Sequence, residues 1–375
     1  MNKTLEQELV LELSQFRNPN TERMKELVTQ KLDWAEILGH LVYNRTAGIA
    51  YHVLRMSEIP FFNREFEFGL FLIHEIQRLR TQSHRSYISQ IAAAMNASGI
   101  PHAFLKGSIL AHSIYPVGCR ISSDIDILLR ASDLTACGNV MKELGFIQGF
   151  YDENERVVVP ATRREILNHR MNYGEVVPYR KAVQEPGINL IEIDINFSLD
   201  WMAQGTEKAV DNFIQEAEAY QFNAGEQISS LPKEYFLAHL CVHLFKEAAV
   251  ITWIDFQRDL GLYKFVDIYG FLTDPHIDLN WDKFVAILTN NQIINEAYYA
   301  LEHTRVFFPI LNQYEGFIDM LNDIKPANTD YLEQVVDASN AQLVYQWNKD
   351  LISRFFDLKR YNCLDRVVSS VQKMI

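Results

Sequence analysis

Asp124 and Asp126 stand one residue apart in "SSDIDILLR" (122–130), an otherwise apolar run that reads as a strand. Strand residues i and i+2 point to the same side, which sets the two carboxylates about 6–7 Å apart on one face. Ile125, Ile127 and Leu128 supply the buried side. Paired carboxylates repel each other unless a positive group lies between them. A hard divalent cation does this, and Mg²⁺ takes one or two carboxylates together with substrate phosphate oxygens. Upstream, "FLKGS" (104–108) ends an apolar run in Gly107 and Ser108. Gly107 allows close backbone approach to a ligand, and Ser108 opens a helix whose free N–H groups favour anions. A phosphate cradle facing a carboxylate-bound metal suits nucleotidyl or phosphoryl transfer. Asp194 in "IEIDIN" (191–196), with Glu192 on the same face, supplies a third carboxylate. It would complete a two-metal site or take the proton of an attacking hydroxyl.

The elements around these residues change period along the chain. Residues 1 to about 85 read as helices, with cap signals at Thr21 and at Asp33 with Glu36, a break at 59–63, and a long helix over about 64–98. Then come a strand at "IPHAFLKG", a helix at "SILAHSIY", the Asp124–Asp126 strand and a helix at "LTACGNVMKELGF". "RVVVPA" and "MNYGEVVPYRK" alternate like hairpin strands, and "INLIEIDINFSL" is the clearest strand. This order predicts an α+β sheet core over 86–204, between a helical region at 1–85 and a helical domain at 205–375.

At these residues the chain resembles the nucleotidyltransferase superfamily, whose pattern is hG[G/S], a spacer, [D/E]h[D/E], and a third acid on a later strand. It is most similar to a bacterial branch written LKG…L…Y…R…DIDLLV, matched at Lys106, Gly107, Leu110, Tyr115, Arg120, Asp124 and Asp126. "LDWAEILGHLVYNRTAGIAYHVL" resembles that branch's upstream helix pair. "LAHLCVHLFKEAAVITWIDF" resembles its downstream His-containing helix and Trp-x-Asp turn. The likeness spans most of residues 30–270, and Asn196 stands where the branch often has His. The resemblance implies a five-stranded mixed sheet with helices on one side. It implies Mg²⁺ on Asp124 and Asp126, Asp194 as third carboxylate, and an NTP whose β and γ phosphates lie on Gly107 and Ser108. Lys106 and Arg120 then become phosphate or carboxylate partners, with a salt bridge that orients the acids as the alternative. Members of the superfamily transfer a nucleoside monophosphate to a hydroxyl and release pyrophosphate.

Other residues carry weaker signals. His239 and His243 share one helix face, but no third metal ligand is evident near them, so two hydrogen-bonded core histidines are expected. Trp253 and Asp255 read as a cap and packing pair, with nucleobase stacking as the lesser reading. His169, Arg170, Tyr173 and Arg180 fit either a solvated hairpin or an acceptor-side one. "TRREI" (162–166) reads as a solvated helix start, and Tyr298 and Tyr299 as helix packing.

Composition bounds the rest. The chain has 375 residues, 48 acids and 35 bases, for a formal charge of −13. Such a field repels polyanions and argues against a nucleic-acid partner. Cys119, Cys137, Cys241 and Cys363 lie far apart with no CxxC, which suits a reducing cytoplasm. No signal-peptide h-region or membrane span is read. The expectation is therefore a cytoplasmic, Mg²⁺-dependent transferase using an NTP, ATP first, on a small-molecule or protein hydroxyl. A toxin-like transfer to RNA and a non-catalytic nucleotide-binding partner protein are its rivals.

Overall fold

The computed structural model describes residues 3–59, 63–200, 205–223, 225–337 and 342–367. Most of the break expected at 59–63 and the last turns of the expected C-terminal helix fall outside them. The protein is α+β, built on a mixed sheet whose strands are β1 (His102–Phe104), β2 (Ile125–Leu129), β3 (Ile147–Asp152), β4 (Val157–Pro160), β5 (Tyr179–Glu185), β6 (Ile188–Asn196), β7 (Glu218–Asn223) and β8 (Glu226–Ser230). Their order is β4-β3-β5-β6-β2-β1-β8-β7. β2 runs parallel to β6 and β1 parallel to β8, while the other neighbours are antiparallel.

The sheet thus has eight strands where the resemblance implied five. Hairpin β3–β4 widens one edge and hairpin β7–β8 the other. The second hairpin lies beyond residue 204, in a stretch read as helical from its sequence. "EAYQFN" and "EQISS" are mostly polar, and in β8 only Ile228 and Ser230 turn inward, so the alternation that marks a strand is faint there. Ser230 Oγ donates to the Phe104 carbonyl at 3.0 Å, which ties this hairpin to the core.

Before the sheet, the paired helices Trp34–Tyr43 and Ala47–Met56 lead into the long helix Arg64–Ala97. Asp33 caps the first by accepting from the Ala35 and Glu36 backbone N–H groups. The helix Thr21–Val28 is capped by Asn20, one residue ahead of the expected Thr21. The long helix packs on β6 and β8. After the sheet, Lys233–Ala248 packs on Leu262–Leu272, Trp281–Asn290 and Ile294–Phe307.

The C-terminal part departs from the helical expectation. A small second sheet forms from β9 (Gln334–Val336), β10 (Leu343–Trp347) and β11 (Leu364–Arg366). The helix before β11 spans only Leu351–Phe356. Two buried arginines explain the early stop. Arg354 pairs with Glu333 and lies 5.0 Å over the Trp347 ring, and Arg360 pairs with the fully buried Asp259 at 2.9 Å. Tertiary pairing overrides local helix propensity here. Among the described residues, no helix is long and apolar enough to cross a membrane.

Candidate functional site

β2 and β6 are the neighbours that matter. Their parallel register sets Asp126 directly beside Asp194. Adjacent strands lie about 4.8 Å apart, so the third acid is one strand spacing from the pair. Asp124 stands just ahead of β2 and is partly exposed, whereas Asp126 is buried. β1 pairs antiparallel with the other side of β2, and the Leu105 N–H donates to the Asp126 carbonyl at 3.0 Å. This brings the Lys106 ammonium to 2.6 Å from Asp126 Oδ1.

The chain turns sharply at Lys106. The Ser108 N–H donates to the Leu105 carbonyl at 3.1 Å, and Lys106 has φ 47° and ψ −123°. That is the first central position of a type II′ turn, where glycine is unstrained. A lysine there costs about 1–3 kcal/mol of backbone strain, offset by the ion pair it aims at Asp126. Gly107 follows. A Cβ on it would come within 2.6 Å of Ser122 Oγ, so the close approach it permits is that of the loop leading to Asp124. Ser108 is buried behind Gly107, its hydroxyl has no hydrogen-bond partner among the described residues, and it is not in the cleft lining.

Arg120 lines the same cleft, held by a different carboxylate. Its guanidinium grips Asp267 at 2.7 and 2.8 Å, and the Tyr115 hydroxyl donates to the same carboxylate at 2.8 Å. Glu192 is likewise engaged, by Arg180 across the β5–β6 ladder. Asn196 offers its amide to the Asp194 carbonyl at 3.5 Å.

The electrostatics follow from this crowding. Burial pushes Asp126 up to about 6, with Asp124 adding repulsion and Lys106 opposing it. Burial, then Asp124 and Asp126, raises Asp194 well above the usual carboxylate range, and its buried Oδ1 has no hydrogen-bond partner among the described residues. Burial opposes the charge on Lys106, but Asp126 and Asp124 hold its ammonium above the usual range.

These carboxylates face a cleft of about 600 Å³. Its opposite wall comes from the helix Lys233–Ala248 and the segment 253–264. Lys246, Arg45 and Arg258, all passed over in the sequence, line it and have no ion pair among the described residues. Burial, then the charge of Lys106, lowers Lys246 from the usual lysine range. Lys264 pairs with Glu247 in the same wall. The signal for Lys246 was its spacing, since Leu240, His243 and Lys246 recur every three residues on one helix face. His243 lines the cleft with Nε2 3.5 Å from Glu247 Oε1, while burial holds both His239 and His243 well below the usual histidine range. Trp253 is also in the lining.

Among the described residues, no group of three or more His, Cys, Asp or Glu side chains is arranged to hold a metal ion, and Lys106 occupies Asp126. The donor set nonetheless fits a hard divalent cation. Oxygen ligands crowd together, and a buried carboxylate oxygen on Asp194 lacks a hydrogen-bond partner among the described residues. The glycine turn after β1, the acid pair at β2 and the third acid on the parallel neighbour β6 are the features on which the likeness to nucleotidyltransferases rests. The chain belongs to the family described as "uncharacterised nucleotidyltransferase", which matches residues 30–309. No curated protein matches it in sequence. Among solved structures it is similar to an antigenic nucleotidyltransferase-like protein from Paracoccidioides brasiliensis, at 11% identity and a TM-score of 0.31, covering 64% of this chain and 91% of that one.

Proposed function

We propose that the protein is a Mg²⁺-dependent nucleotidyltransferase that moves a nucleoside monophosphate from an NTP, ATP first, to a hydroxyl of a small molecule or protein. One observation carries this reading: Asp126 and Asp194 lie side by side on β2 and β6, with Asp124 next to them, facing a wall that bears Lys246, a lysine with no ion pair among the described residues. Asp124, Asp126 and Asp194 would hold the divalent cation, which when bound neutralises triphosphate charge. Lys106 keeps the acid pair from repelling itself apart before substrate arrives. Lys246 faces the same carboxylates from the far wall and offers a cation to the phosphate oxygens. Asp194, the third carboxylate, also accepts the acceptor's hydroxyl proton. The new oxygen–phosphorus bond forms at the α-phosphorus as the bond to the β-phosphate breaks, and pyrophosphate leaves. Gly107 keeps Ser122 and the Asp124 loop close to the turn.

The test is pyrophosphate release from labelled ATP with cell extract as the acceptor pool. Asp126→Asn and Asp194→Asn should each lower turnover by about 10²–10³-fold, the scale for losing one group that stabilises developing charge. Chelation of divalent cations should abolish it. If the wild type releases no more pyrophosphate than Asp126→Asn, the reading fails. If Asp194→Asn alone stays active, the third acid is misassigned.

A further inference from the structure

Two helix ends meet at the mouth of the cleft. The helix Trp34–Tyr43 closes with the Thr46 N–H on the Leu41 carbonyl and the Arg45 N–H on that of Val42. The short helix Ile251–Asp255 closes the same way, Arg258 on Trp253 and Gln257 on Ile254. Such endings place one residue in the left-handed region, and glycine is the usual choice there. Here the positions hold Arg45 at φ 56° and Gln257 at φ 55°. With Lys106 they make three of the six non-glycine residues with positive φ among those described, and all three line this one cleft. Strain of this kind gathers where side chains are needed for a task.

The two ends are tied together. The Tyr43 hydroxyl donates to the Gln257 carbonyl at 2.7 Å. Arg45 lies 5.2 Å over the Tyr263 ring, and Lys264, next to Tyr263, donates to the Arg258 carbonyl at 2.9 Å. Among the described residues neither Arg45 nor Arg258 has a carboxylate partner, although nearby Arg120, Lys264 and Arg360 all do. In a chain of net charge −13, two unpaired guanidinium groups at one cleft mouth, beside the exposed Phe256, are a surplus that an anion would balance.

We infer that Arg45 and Arg258 form a subsite for an anionic group on the acceptor, so that the acceptor is a phosphate- or carboxylate-bearing molecule with a free hydroxyl. This rests on the nucleotidyltransferase reading of the cleft. Lys246, deeper and facing Asp126, serves the triphosphate instead.

Arg45→Gly tests it without endangering the fold, because glycine relieves the strain. The probes are glycerol 3-phosphate and glycerol, titrated calorimetrically into protein saturated with Mg²⁺ and a non-hydrolysable ATP analogue. Wild type should bind the phosphorylated compound at least tenfold tighter than the neutral one. Arg45→Gly should bring the ratio below about threefold, keep its affinity for the nucleotide analogue, and melt no lower than wild type. Arg45→Lys should restore part of the preference. Equal binding of the two probes by wild type, or an unchanged ratio in Arg45→Gly, overturns the subsite. A tenfold loss of analogue affinity in Arg45→Gly also overturns it, by assigning Arg45 to the triphosphate. If wild type fails to bind the analogue, the nucleotidyltransferase reading fails. The two probes titrated without nucleotide then decide the subsite by the same ratio.

Discussion

Asp194 carries the sharpest test of the acid cluster because no cation pairs with it among the described residues. Its proton affinity is raised by burial and by Asp124 and Asp126. A carboxyl group raised in the folded state favours the protonated fold, so wild type loses stability as pH climbs from the unfolded carboxylate range near 4 towards the folded value. Asp194→Asn cannot ionise. Without divalent cations the variant should match wild type near pH 4 and exceed it above pH 7 by on the order of 1–3 kcal/mol, the cost of an unpartnered buried polar or charged group. Mg²⁺ should narrow that gap by stabilising wild type alone. Urea unfolding of both proteins between pH 4 and 8, with and without Mg²⁺, reads this directly, and parallel stability curves would refute the crowding. Spacing in the sequence was enough to single out Asp124, Asp126 and Asp194, since alternation along a strand is local. The partners of Lys106 and Arg120 were not legible, because Asp126 and Asp267 reach them through strand pairing and through a helix some 147 residues away.

At the level of elements, the turn from β1 into the helix Gly107–Ser113 fixes the distance between the two motifs. Gly107 lines the cleft, but a Cβ added to it would run into Ser122, so a substitution there acts sterically. Gly107→Ala should cost about 1–3 kcal/mol, the range for an overpacked contact, and should lower turnover by displacing Asp124. In a Ser122→Gly background that cost should fall by more than half, since the colliding hydroxyl is gone. A double-mutant cycle by thermal unfolding measures the coupling, and strictly additive effects would defeat the steric account. Elements with strong periodicity, such as Arg64–Ala97, β2 and β6, were readable in advance. Those held by tertiary contacts were not. β7 and β8 are short and polar, and β11 follows a helix cut short where Arg354 and Arg360 turn inward to Glu333 and Asp259.

The whole molecule closes around the site from both ends of the chain, which bears on the division expected at residue 204. One wall of the cleft, the acids of β2 and β6, precedes that point, while Lys246, Arg258 and Asp267 follow it. The sheet itself crosses it, because β8 lies against β1, and Ser229 and Ser230 hold the His102 and Phe104 carbonyls. A chain ending at 204 would also strip Asp267 from the buried Arg120. Breaking a buried ion pair costs about 3–5 kcal/mol, a large part of the 5–15 kcal/mol that holds an ordinary domain together. Residues 1–204 expressed alone should therefore show no cooperative thermal transition, and Mg²⁺ with ATP should not rescue one. Expressed with residues 205–375 in the same cell, the two pieces should copurify and regain a single transition. Circular dichroism melts of each piece and of the pair decide the matter: a sharp, independent transition for 1–204 would restore the boundary at 204 and make the far wall of the cleft a separable lid.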